Sequence, residues 1–216
     1  MSLTPAVILA LLIGGPTGPQ TPPIFNPGAP GAPSRVISAA EAVELSRTGY
    51  VEADVRFMRH MIVHHAQAVE MVALLQSRAA SPTVRRLGDR IAQSQTAEMA
   101  QMEEWLAARA LATTDPDLHA GHHGHAAGAA ASDTPLMPGM LSPAQMAALA
   151  AATGPEFDQL FLEGMIRHHQ GALAMVEALL DNPEAAEDPT LSDFASSVTA
   201  DQAAEILRMQ TILSEL

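Results

Sequence analysis

The sequence predicts an all-α protein, a four-helix bundle made of two repeated αα-hairpins with short connecting helices. Three observations carry that expectation. The stretch Phe57 to Met71, FMRHMIVHHAQAVEM, returns as Phe161 to Met175, FLEGMIRHHQGALAM, a step of 104 residues from His64 to His168. Each copy has a helical period, with Phe57, Met61, His64, Ala68, Met71 and Leu75 on one face. Finally, hydrophobic residues make up 48% of the 216-residue chain, aromatics only 3%, and alanine abounds where β-branched clusters are scarce, a bias toward helix.

Residues 1–37 begin with an apolar run, Ala6 to Ile13, too short to span a bilayer. It resembles the hydrophobic part of a secretory signal, although no positive residue precedes it and no small-x-small cleavage site follows. Export to the periplasm, the cell envelope or the medium is expected, with no transmembrane span. Pro16 to Pro33 is rich in proline and glycine and reads as an unstructured tether.

The first hairpin is expected within residues 38–114. A short helix runs from Ser38 to about Thr48, with Ser38 and Glu41 at capping-box spacing. A long helix covers Val51 to Ala79, where Ser81-Pro82 breaks the chain, and another covers Thr83 to Ala112. The face of that second helix carries Ile91, Gln95, Glu98, Met102 and Leu106, and Val198, Gln202, Glu205, Met209 and Leu213 repeat it. Residues 115–138 form a connecting segment whose glycines and irregular histidines predict an exposed linker. In residues 139–216, Ser142 caps a short helix from Pro143 to about Ala152. Two long helices follow, Glu156 to Leu180 and Leu191 to Glu215. Two hairpins of this kind make one bundle.

A histidine on an apolar face must find partners, since burying an unpaired polar group costs a few kcal/mol. Two readings of the repeated turn stay open. In the first, Met61, His64, His65 and their counterparts Met165, His168 and His169 hold a metal ion. Thioether and imidazole one helical turn apart suit Cu(I), and with more nitrogen Cu(II). In the second, His64 and His168 are core histidines hydrogen-bonded to Glu98, Glu205 or Asp54 and Asp158, in a buried network with Gln95 and Gln202 that fixes hairpin pairing and specifies the bundle. Methionines at helical spacing are also ordinary core filler, and Met99, Met102, Met137 and Met140 read that way.

The connecting segment holds a second candidate. His119, His122, His123 and His125 lie within seven residues, a composition that chelates copper, or zinc and nickel weakly, without needing a fold. His60 would add a chelating ring to His64, but Gly164 stands at the matching position of the second copy.

Composition narrows the partners. A formal net charge of −13 argues against nucleic acid and raises the local concentration of cations. The absence of cysteine removes disulfides and thiolate ligands from consideration. Metal ions are the expected partners. A protein that receives the metal, and the oligomeric state, are left open. A di-iron oxidase would need Glu-x-x-His, which the chain lacks, so no enzymatic activity is expected.

Met140-Leu-Ser, the FDxxF of Phe157 to Phe161, the MIxHHxGA of Met165 to Ala172 and the QxxEI of Gln202 to Ile206 resemble the domain-of-unknown-function family 305 (DUF305). The resemblance covers Val51 to Leu216. It implies a ferritin-like helical bundle and an exported bacterial protein, in some members associated with copper or silver handling. The first half departs from the pattern, with Ala66-Gln67 where the second has Gln170-Gly171, and Met99 where the second has Ile206. Gly171 is expected to let a helix approach closely, leaving the long helix of Val51 to Ala79 farther out near Gln67.

Overall fold

The structure, a computed structural model, describes residues 22–27, 31, 33–46, 49–115 and 133–216. It divides into two compact units between Arg47 and Thr48.

The smaller unit contains an antiparallel pair of strands, β1 (Ile24–Asn26) and β2 (Arg35–Ile37), in the register Ile24 to Ile37, Phe25 to Val36 and Asn26 to Arg35. Composition predicts only a tether here, but Ile-Phe and Val-Ile flank the proline-glycine stretch and favour extended pairing. Helix α1 (Ala39–Ser46) follows, its Glu41 amide bonded to Ser38 Oγ at 3.1 Å as the capping spacing predicts. It groups with the strands rather than with the first hairpin.

The larger unit is the bundle. Helices α2 (Glu52–Ala73), α3 (Leu75–Arg78) and α4 (Pro82–Ala107) form the first hairpin. After the short α5 (Pro143–Ala151), helices α6 (Gly154–Leu180) and α7 (Pro189–Ser214) form the second. Within each hairpin the long helices pack along their length, α2 meets α6 across the bundle, and α4 meets α7. Among the described residues, no helix is long and apolar enough to cross a membrane.

Local chemistry sets the helix starts. Ser81-Pro82, Ser142-Pro143 and Asp188-Pro189 each place an oxygen-bearing cap before a proline at the first helical position. The caps accept from Val84, Gln145 and Leu191 amides at 3.4, 3.3 and 3.0 Å. Stops are less regular. Helix α4 ends at Ala107, short of the expected Ala112, because Ala110 adopts a left-handed φ of 55°. The Leu111 amide then reaches back to the Leu106 carbonyl at 3.0 Å, and Leu111 packs on the core. This is a Schellman ending without its usual glycine.

The core falls into two apolar clusters. One gathers Met71, Leu75, Leu87, Ile91, Phe157, Phe161, Met165 and Met209. The other gathers Phe57, Met58, Met61, Met102, Trp105, Val176, Phe194 and Val198. The repeat exchanges them: Phe57 of one cluster corresponds to Phe161 of the other, and Met61 to Met165. On all four long helices a short polar stretch separates the two clusters: residues 64–65, 95–98, 168–169 and 202–205.

Candidate metal centre

That polar layer is built from eight side chains, two from each long helix. His64, His65, His168 and His169 are fully buried, Gln95 and Gln202 nearly so, and Glu98 is buried while Glu205 is partly exposed. Helix α2 brings His64 against His168 of α6, with ring centres 3.8 Å apart and planes inclined at 41°. The outer rings stand farther off, His65 at 6.3 Å from His64 and His169 at 6.4 Å from His168.

The outer imidazoles bond within their own hairpins. His65 Nε2 donates to Glu98 Oε2 at 2.6 Å, and His169 Nε2 donates to Glu205 Oε2 at 2.7 Å. Glu98 Oε1 also accepts from Ser94 Oγ at 3.1 Å. A carboxylate accepts only, so each outer ring carries a proton on Nε2. His64 Nε2 donates to the Pro138 carbonyl at 3.0 Å, which likewise puts a proton on Nε2. Among the described residues, the Nδ1 atoms of His64, His65 and His169, and both ring nitrogens of His168, are buried without a hydrogen-bond partner, as are Gln95 Oε1 and Gln202 Oε1.

Burial also decides the charge. It pushes His64 down to about 3, helped by His65 and His169 and opposed by the Pro138 carbonyl. His168 is held well below the ordinary histidine range, first by burial and then by His64, His169 and His65. The nearby His64 backbone opposes this without completing a hydrogen bond. Both central rings are therefore neutral at pH 7, the form in which imidazole ligates metal.

The remaining predicted residues lie elsewhere. Met61 and Met165 are fully buried on opposite sides of the layer, each one helical turn from its histidine pair. Asp54 and Asp158 bond hairpin loops, not imidazoles. Asp54 accepts from the Val51 and Ala186 amides at 3.0 and 2.8 Å, and Asp158 from the Ala80 and Ser81 amides at 3.2 and 2.7 Å. His60 bonds Asp115 at 3.0 Å. His119, His122, His123 and His125 lie outside the described residues. Among the described residues, no three His, Asp or Glu side chains gather as a ready-made metal cage.

Sequence reasoning missed the segment that covers the layer. Gly171 meets the Pro138-Gly139 backbone rather than a helix, since a Cβ there would sit 2.0 Å from the Pro138 oxygen. Gln67, at the matching position, bonds both the Leu141 carbonyl and the Leu141 N–H through its side-chain amide, at 2.9 and 2.7 Å. The departures from the repeat at these two positions were the available signal.

The model of the domain of unknown function DUF305 matches residues 54–213. The chain belongs to the DUF305 family. Two solved DUF305 structures are similar to it. One, described as a secreted protein from Streptomyces coelicolor, shares 31% identity and a TM-score of 0.63, over 76% of this chain and 93% of that one. The other, a DUF305 fragment from Deinococcus radiodurans, shares 32% identity and a TM-score of 0.63, over 78% and 100%. CopM in its Cu(I)-bound form is also similar, at 25% identity and a TM-score of 0.52, over 75% of this chain and 96% of CopM. CopM has been solved with Cu(II) and with silver as well. No curated protein matches the DUF305 chain described here at a significant level.

Proposed function

We propose that this DUF305 protein is a non-enzymatic copper-binding protein of the cell envelope, with its structured site in the central histidine layer. The observation that carries the reading is the neutral pair His64 and His168, packed at 3.8 Å, in which His64 Nδ1 and both nitrogens of His168 are buried without a hydrogen-bond partner among the described residues. An unpaired buried acceptor is costly unless a ligand completes it. Neutral imidazoles flanked by thioethers fit copper, in a chain without thiolates where the outer histidines engage the layer's two carboxylates, Glu98 and Glu205. The likeness to CopM, solved with Cu(I), Cu(II) and silver, supports the same choice. His119, His122, His123 and His125 would capture ions before they reach the bundle. An exported location rests on the apolar run Ala6 to Ile13, the absence of cysteine and the Streptomyces relative described as secreted.

Titration of metal-free, tag-free protein with Cu(I) and Cu(II) tests this reading. The expected result is binding tighter than that of a short histidine peptide, lost in a His64→Ala, His168→Ala variant that still folds. Wild-type affinity no better than the peptide's refutes it.

A second reading has its own observation. The bonds His65–Glu98 and His169–Glu205 each tie the two long helices of one hairpin, as a purely structural network would. Under that reading, loss of His65 and His169 lowers the melting temperature and leaves copper affinity unchanged.

A further inference from the structure

The two central imidazoles are equivalent in the repeat but not in the structure. His64 has a carbonyl partner on Nε2, and His168 has none on either nitrogen among the described residues. Where the first copy, 104 residues earlier, reads Pro33-Ser34-Arg35-Val36, the carbonyl belongs to Met137-Pro138-Gly139-Met140. Its sequence dictates a tight turn, with proline fixing the second position and glycine free to take the positive φ needed at the third. Gly139 has φ +74°, and the Met140 amide closes the turn on the Met137 carbonyl at 3.2 Å. In such a turn the proline carbonyl lies outside the closing bond, so it can accept from elsewhere. It accepts from His64.

Two side-chain positions seat that turn on the bundle. Gly171 leaves room for it, and a Cβ on Gly171 would lie 2.0 Å from the Pro138 oxygen and 2.7 Å from Gly139 Cα. Gln67 grips the residue after the turn on both its backbone polar groups, donating to the Leu141 carbonyl and accepting from the Leu141 N–H. Residue 67 is glutamine in the first copy and glycine in the second, where it is Gly171. One position of the ancestral repeat has thus become the clamp in one half and the clearance in the other, both acting on one strand of chain.

We propose that Gln67 and Gly171 are positioning residues for His64. Together they hold the Pro138 carbonyl against His64 Nε2, so that His64 offers a fixed Nδ1 lone pair to the metal while His168 remains free to choose its donor atom. The inference rests on the central layer being the copper site. Its chemistry is that of a second-shell hydrogen bond, which sets the tautomer and orientation of a ligating imidazole.

The test uses the full chain with Gly171→Ala and, as a milder change, Gln67→Ala. In the metal-free wild type, nitrogen-15 NMR of the rings should show slowly exchanging Nε2 protons on His64, His65 and His169. Both variants should lose protection of the His64 proton alone and keep those of His65 and His169, which also reports that the bundle is folded. Cu(I) affinity, read by competition with a chelator, should fall roughly tenfold or more at unchanged stoichiometry. The inference is overturned if the wild type takes up copper in the layer and both variants keep the His64 proton or the wild-type affinity. A wild type that takes up no copper there refutes the copper reading instead.

Discussion

The Asp54 carboxylate, on the first helix of one hairpin, accepts a bond from the Ala186 amide in the loop of the other at 2.8 Å. Asp158 does the same in reverse, accepting from Ala80 and Ser81 in the first hairpin's loop. The repeat places these aspartates at matching positions, and each fastens the turn of the opposite half. Asp158→Ala therefore leaves two backbone N–H groups without their acceptor, and unfolding by denaturant should show a loss of about 2–4 kcal/mol. Asp54→Ala likewise strands the Val51 and Ala186 amides, and should destabilise the bundle and render the loop after Leu180 sensitive to protease. Copper stoichiometry should stay unchanged in both.

Acid should weaken the metal-free bundle through its central rings. His64 is lowered to about 3 in the folded protein, and His168 is lowered as well, against about 6.5 in the unfolded chain. The unfolded state thus binds more protons below about pH 6.5, so this stabilisation is complete above that pH and declines as pH falls toward about 3. Between about pH 6 and pH 5, each group should contribute a loss of up to about 1.4 kcal/mol per pH unit. Thermal melts read it directly. Replacing both rings by leucine should flatten the slope over that interval.

Removing either outer carboxylate should strand a buried imidazole proton. Glu98→Ala leaves His65 Nε2 without an acceptor, and Glu205→Ala does the same to His169. Each should lower stability by about 1–3 kcal/mol in urea unfolding. The repeat predicts that the two losses resemble each other, with Glu98 the larger, since it also holds Ser94.

Deleting Asp117 to His125 separates the two candidate binding regions. Weak uptake of nickel and zinc should disappear, while Cu(I) held in the bundle persists at its original affinity. Equilibrium dialysis followed by metal analysis distinguishes the outcomes. Because free imidazoles protonate near pH 6.5, the uptake lost on deletion should be the acid-sensitive part.

Much of the bundle is legible in the chain because helical period and caps are local. The repeated MIxHH turn places His64 and His168 inside, and Ser81-Pro82, Ser142-Pro143 and Asp188-Pro189 announce three helix starts. The stop of α4 is not legible, since Ala110 takes a conformation for which the sequence offers no glycine. The partners of Asp54, Asp158, Gln67 and Gly171 are equally hidden. Each lies on a segment far away in the chain, and only the packed fold brings it near. Glu98 and Glu205 were legible on their core faces, but they bond His65 and His169 rather than the expected His64 and His168, and the carbonyl on His64 comes from a turn that periodicity cannot place.

The crossed aspartate fastenings bear on how such a protein could arise. A single-hairpin precursor could have used the same aspartate twice, each of two identical chains locking the other's bend. Fusion of the two genes would then have kept every lock in place and added only a tether. Once the copies were joined, residue 67 and its twin were free to diverge, and the chain gained an asymmetry that no symmetric dimer can hold.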